Sequence, residues 1–125
     1  MNIYKEELLD HYNNPRNFGC LQKPDLVSGE YNPSCGDNIE IQIKIQNDKI
    51  YQIGFTGKGC IISQATASML TQICINKFLC ELSELKSNDI ISLIGLNLGP
   101  TRMKCALLSL DALQKCIAQY QSQQG

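Results

Sequence analysis

From Ile39 to Gln46 the chain alternates without interruption, Ile39, Ile41, Ile43 and Ile45 against Glu40, Gln42, Lys44 and Gln46. Successive side chains of a strand point to opposite faces, so this period of two gives one β-branched face and one polar face. The segment is a half-buried strand. Asn47-Asp48 supplies a tight turn, and Ile50 to Phe55 is predicted to return as an antiparallel partner with Tyr51, Ile53 and Phe55 on one face. Leu26 to Tyr31 is a candidate first strand.

Beyond Gly57-Lys58-Gly59 the period becomes helical, with Ile62, Ala65, Thr66, Met69, Leu70 and Ile73 in one stripe. Tyr4 to Asn13 reads as a short amphipathic helix carrying Leu8, Leu9 and Tyr12, stopped at Asn14-Pro15. The stretch from there to Pro24 is expected to be a surface loop. Ser87-Asn88-Asp89 opens a second short helix that Gly95 ends, and a last helix from about Thr101 to Gln121 has Met103, Ala106, Leu107, Leu110, Leu113 and Ile117 on its apolar side. Strands followed by helices predict an α+β fold: an antiparallel sheet of about three strands, helices on one face, an N-terminal helix and a long C-terminal one. With 125 residues, 43% of them hydrophobic, residues 1–125 are expected to form one domain.

A net charge of -1 and the lack of a long Lys/Arg block argue against nucleic-acid or anionic-membrane partners. No run is long enough to cross a bilayer, and Met1-Asn2-Ile3-Tyr4-Lys5-Glu6-Glu7 has no signal-type apolar segment. Seven cysteines, an odd number, suit a reducing compartment better than a secreted disulfide frame. A cytoplasmic location is expected, or an organelle after removal of a transit peptide.

Three of the cysteines have distinctive surroundings. Cys35 lies in Asn32-Pro33-Ser34-Cys35-Gly36-Asp37, a sharp turn offering a soft thiolate and, at Asp37, a hard carboxylate. The competing reading is a turn with an incidental cysteine. Cys60 follows Gly57-Lys58-Gly59 at a helix start, off the apolar stripe, where free amides and the dipole would favour a thiolate; most free cysteines are instead small buried hydrophobes. Cys105 is expected roughly opposite the apolar side of the last helix, ionised by its early-turn position and by Arg102 and Lys104. Together the three read as one metal or sulfur site that only the fold can assemble.

Three thiolates and a carboxylate on a divalent ion leave a charge of about -2, which Lys58, Arg102 or Lys104 could offset, unless these are simply solvated cations. Cys74 and Cys116 sit in partly apolar helical segments and read as packing residues, while Cys20 and Cys80 receive no role. His11, the sole histidine, is assigned a surface or hydrogen-bonded structural role. No phosphate-binding loop or Ser/His/Asp set is present, which argues against nucleotide chemistry.

These motifs resemble the U-type iron-sulfur cluster assembly scaffolds, the IscU, SufU and NifU N-terminal family. The likeness covers Tyr4 to Gly19 (YKEELLDHYNNPRNFG), Cys35-Gly36-Asp37, Gly57 to Leu70 (GKGCIISQATASML) and Lys104-Cys105 with the final helix. The resemblance implies that Cys35, Cys60 and Cys105 are cluster ligands or persulfide acceptors, with Asp37 completing the site. It implies a cysteine desulfurase as partner, a transient [2Fe-2S] cluster, and recipient apoproteins or carrier proteins. Lys104 stands where the IscU branch has histidine and is similar to the SufU branch, whose members hold zinc, yet the extra segment of that branch is missing. Leu98-Gly99-Pro100-Thr101-Arg102 matches the Leu-Pro-Pro-Val-Lys chaperone motif poorly, which argues against a dedicated Hsp70 chaperone. The readings are therefore a non-enzymatic cluster scaffold, a Zn2+-dependent sulfurtransferase using the same four residues, or a small domain with purely structural zinc.

Overall fold

A computed structural model describes residues 3–124; Met1, Asn2 and Gly125 lie outside the described residues, including the first two positions of the N-terminal segment discussed above. In chain order the elements are α1 (Ile3–Asn13), β1 (Leu26–Tyr31), β2 (Asn38–Gln46), β3 (Lys49–Lys58), α2 (Ile61–Cys74), α3 (Leu79–Leu82), α4 (Ser87–Ile94) and α5 (Pro100–Gln124). The strands form one antiparallel sheet in the order β1-β2-β3. This is the α+β architecture expected from the sequence, with α2 and α5 packed on the sheet. Among the described residues, no helix is long and apolar enough to cross a membrane.

The alternating face of β2 is buried as its period demands: Ile39, Ile41 and Ile43 lie in the core. The turn residues Asn47 and Asp48 both have positive φ, the conformation that matches the twist of a tight hairpin. The partner strand departs from its expected pattern. Lys44 pairs with Gln52 but Ile45 pairs with Ile50, so Tyr51 is an extra residue in a β-bulge. The bulge resets the alternation, turning Ile50, Ile53 and Phe55 inward and leaving Tyr51 54% exposed.

The stretch before Pro24 does more than lie on the surface. Its Gly19 N–H donates to Phe55 O at 2.8 Å and its Asn17 O accepts from Phe55 N–H at 3.0 Å. The Phe18 ring meets Phe55 edge-on at 5.3 Å. Near the other end of β3, Ile50 N–H donates to Lys77 O, and Asn76 N–H to Ile50 O. The outer edge of β3 is thereby covered at both ends.

Helix α2 is the central helix, touching α1, α4, α5 and the sheet, and is buried over most of its circumference. Ile73, expected in its stripe, is instead exposed, and Cys74 takes the buried position. In α1 the buried residues are Leu8 and His11, whereas Leu9 and Tyr12 are exposed. The His11 ring replaces Tyr12 as the inward contact because Ser68 of α2 offers it a hydroxyl at 2.8 Å. At the start of α1 the Tyr4 ring lies on Gly95, where any Cβ would overlap it.

Helix α5 is also turned from its expected orientation. It packs against both the sheet and α2, so a second stripe of Cys105, Leu108, Ala112 and Cys116 is buried beside Ala106, Leu110, Leu113 and Ile117. Met103 and Leu107 are only half-buried.

Candidate metal centre

The loop between β1 and β2 is closed on itself by Asn32. Its N–H donates to Asp37 O at 2.8 Å, its carbonyl accepts from Gly36 N–H at 2.8 Å, and its Oδ1 accepts from Ser34 N–H at 3.0 Å. Gly36, with φ 77°, supplies the left-handed residue this turn needs. The loop presents Cys35 to solvent and sends Asp37 inward, where it is 3% exposed.

Asp37 reaches the start of α2. Its Oδ1 accepts from the Cys60 N–H at 3.2 Å and its Oδ2 from the Cys60 thiol at 3.2 Å, so the carboxylate satisfies an unpaired amide and meets the positive end of the helix. Gly59 makes room: at φ 150° it passes so near that a Cβ would overlap the Asp37 carboxyl. From the other side, Cys105 in the second turn of α5 places its Sγ 3.5 Å from Cys35 Sγ. The ligand atoms of Cys35, Asp37 and Cys105 all lie within 4.8 Å of one another. Cys60 joins this group through Asp37.

Burial by itself would raise the Asp37 pKa, but hydrogen bonds from the Cys60 and Cys105 thiols, the Cys60 amide and Ser63 outweigh it and hold the carboxyl below its usual range. The Cys105 thiol moves the other way. Burial, then contact with Cys35 and Asp37, pushes it far up, so in the metal-free chain it keeps its proton. This overturns the expectation of an exposed, ionised Cys105: at 4% exposure it faces inward. Arg102 and Lys104 are exposed, and neither they nor Lys58 enter the ion pairs found among the described residues, Arg16–Asp10 at 2.6 Å and Lys115–Glu30 at 2.5 Å.

Cys74 and Cys116 are buried packing residues, their thiols pushed up to about 12 by burial. Cys20 and Cys80 are exposed. Three contributors to the site escaped the sequence reading: Asn32, whose amide points at Cys105 Sγ from 4.0 Å, Gly59, and Ser63, whose hydroxyl lies 4.0 Å from Cys60 Sγ. Asn32 and Gly59 stand inside the motifs that drew attention to the cysteines. Nothing local in the sequence marks Ser63.

Thiolate and carboxylate donors of this kind suit zinc or iron-sulfur iron. Two thiolates on one tetrahedral zinc stand about 3.8 Å apart, given Zn–S bonds of about 2.3 Å. The Cys35–Cys105 separation of 3.5 Å is close to that. Binding would require Cys105 to give up its proton.

Residues 3–125 match the family described as NifU-like N terminal domain. The chain belongs to this family. Among its relatives is the zinc-dependent sulfurtransferase SufU of Bacillus subtilis, 36% identical over 133 residues that take in 93% of this chain and 90% of the relative. The iron-sulfur cluster assembly scaffold protein IscU of Haemophilus influenzae is 36% identical over 126 residues, covering 98% of each. The crystal structure of FiSufU from Fervidobacterium islandicum AW-1 superposes with a TM-score of 0.77 at 26% identity, over 90% of this chain and 94% of that one. The SufU alignment is longer than the 125 residues of this NifU-like chain, so that relative carries residues with no counterpart here.

Proposed function

We propose that this NifU-like chain is a scaffold for iron-sulfur cluster assembly, taking sulfur from a cysteine desulfurase and iron into a labile [2Fe-2S] cluster that passes to recipient apoproteins. The reading assigns Cys35, Asp37, Cys60 and Cys105 as ligands, with Lys58, Arg102 and Lys104 lending positive charge nearby. The convergence of Cys35, Asp37 and Cys105 from two separate regions of the fold, within 4.8 Å and open to solvent at Cys35, is the observation that carries it. The IscU relative supports the choice of cargo.

In the metal-free chain the groups divide the work. Exposed Cys35 and Cys60 are accessible to a protein donor, whose terminal persulfide sulfur is attacked by the scaffold thiolate while the donor's own thiolate leaves. Asp37, held as a carboxylate, accepts hydrogen bonds from the thiols and so fixes their orientation. Its hard oxygen also suits a cargo that must depart, because iron-sulfur iron prefers thiolate.

A second reading, a zinc-dependent sulfurtransferase, is favoured by Lys104 and by the SufU relative. Cys35, Asp37 and Cys105 converge as zinc ligands would, and this reading adds Cys60, hydrogen-bonded to Asp37, as the fourth; zinc bound there would hold the coordinating sulfurs as thiolates at neutral pH. A desulfurase would then free one of them to accept sulfur.

Anaerobic reconstitution with iron, cysteine and a desulfurase separates these readings. The scaffold reading expects a coloured product whose cluster transfers to an apoprotein. A colourless zinc protein that speeds alanine release by the desulfurase would establish the second reading, and neither behaviour would leave a structural zinc. Changing Cys35, Cys60 or Cys105 to Ser is expected to lower metal content well below one ion per chain, while Cys74→Ser retains it. Equal retention in all four variants would overturn the assigned site.

A further inference from the structure

Cys35 and Cys105 differ sharply in access although their sulfurs are 3.5 Å apart. Cys35 stands in solvent on its loop, and Cys105 lies buried behind it, beside the Asp37 carboxylate. A sulfur donor can therefore reach Cys35 without reaching Cys105. Once Cys35 carries an outer sulfur, its own Sγ still lies next to the Cys105 thiol.

We propose that Cys105 resolves a persulfide on Cys35, releasing the outer sulfur as hydrosulfide and leaving a Cys35–Cys105 disulfide. The inference rests on the sulfur-accepting reading above. Cys105 Sγ bonds to Cys35 Sγ, and the bond from Cys35 Sγ to the outer sulfur breaks with its electron pair on the outer sulfur. The Cys105 proton leaves on that sulfur, which departs as hydrosulfide. The outer sulfur is reduced to sulfide, and the two cysteine sulfurs supply the two electrons. A disulfide bond is about 2.0 Å long, so the sulfurs must close by about 1.5 Å, within reach of side-chain rotation on the Cys35 loop. Two equivalents of an external thiol then reopen the pair. Thiols committed to a metal ion cannot take part, so the discharge belongs to the metal-free chain.

The test uses the full-length chain stripped with a chelator and mixed anaerobically with a desulfurase and one equivalent of cysteine per chain, so that the substrate is consumed and no free thiol remains to reopen a disulfide. Expected are one sulfide released per chain, loss of two alkylatable thiols and a peptide linking Cys35 to Cys105. Cys105→Ser should instead keep the gained sulfur on Cys35 and lose the sulfide release, whereas Cys116→Ser should behave as the parent. Should Cys105→Ser fail to fold, the alkylation map of the parent chain decides alone. A parent chain that holds a stable persulfide with Cys105 still alkylatable would overturn this inference and leave the sulfur-accepting reading standing. Failure to take up any sulfur would overturn both.

Discussion

Gly59 shows how a residue without a side chain can set a ligand. Its backbone fills the space beside the Asp37 carboxyl and adopts φ 150°, so Gly59→Ala must push Asp37 away from Cys60. The expected result is a folded protein with unchanged far-ultraviolet circular dichroism and about tenfold or greater loss of metal affinity, as for other losses of ligand support, read by competition with a chromophoric chelator. Unchanged affinity would show that Asp37 is not a ligand. The cysteine motifs were legible because Gly, Pro and Asp next to a thiol leave few alternatives to a shaped turn. The protonation of Cys105 was not, since it depends on which side of α5 faces inward, and the neighbouring cations Arg102 and Lys104 say nothing about that.

At the scale of elements, α1 is held to α2 through His11. Ser68 Oγ accepts from the Arg16 N–H at 2.8 Å and meets His11 Nδ1 at 2.8 Å, an arrangement that suits a neutral ring accepting the Ser68 hydroxyl proton. Burial, followed by the Arg16 charge, holds the His11 pKa below its ordinary 6.5 against Asp10 and Glu7, which raise it. The unfolded helix therefore binds the proton more readily. The docking contribution is complete above about pH 6.5 and is lost as pH falls through the lower folded value. Proteolysis of α1 by an acid-tolerant protease should accelerate on going from pH 7.5 to 5.5 relative to a core helix, and His11→Gln should flatten that response. Existence and order of the larger elements followed from periodicity, but the orientation of α1 did not: Leu8, Leu9 and Tyr12 were equally apolar, and only the partner surface chose Leu8 and His11. The bulge at Tyr51 was likewise invisible, because one inserted residue leaves a strand's composition unchanged.

For the whole molecule, one continuous core joins the sheet to α1, α2, α4 and α5, and it is assembled without the metal-binding loop. Removal of metal by a chelator should lower the melting temperature by the lost binding free energy yet leave helical circular dichroism intact. We expect residues 1–125 to unfold in a single transition, seen as coincident urea curves from circular dichroism and tyrosine fluorescence. Ile41→Ala, at the centre of β2 and fully buried, should cost about 2–5 kcal/mol in the same assay. Two separated transitions would mean that the chain divides into independent units.

The sheet also has unequal flanks. Asn17, Gly19, Asn76 and Lys77 occupy hydrogen-bonding positions along β3, whereas β1 is the other outermost strand of the order β1-β2-β3. Growth of a fibre by strand addition requires two open sides on every molecule, and here a second copy added at β1 would meet a first whose opposite side is already occupied. Such pairing ends at two molecules and cannot propagate, which lets a reactive, thiol-rich chain be concentrated without polymerising through its sheet.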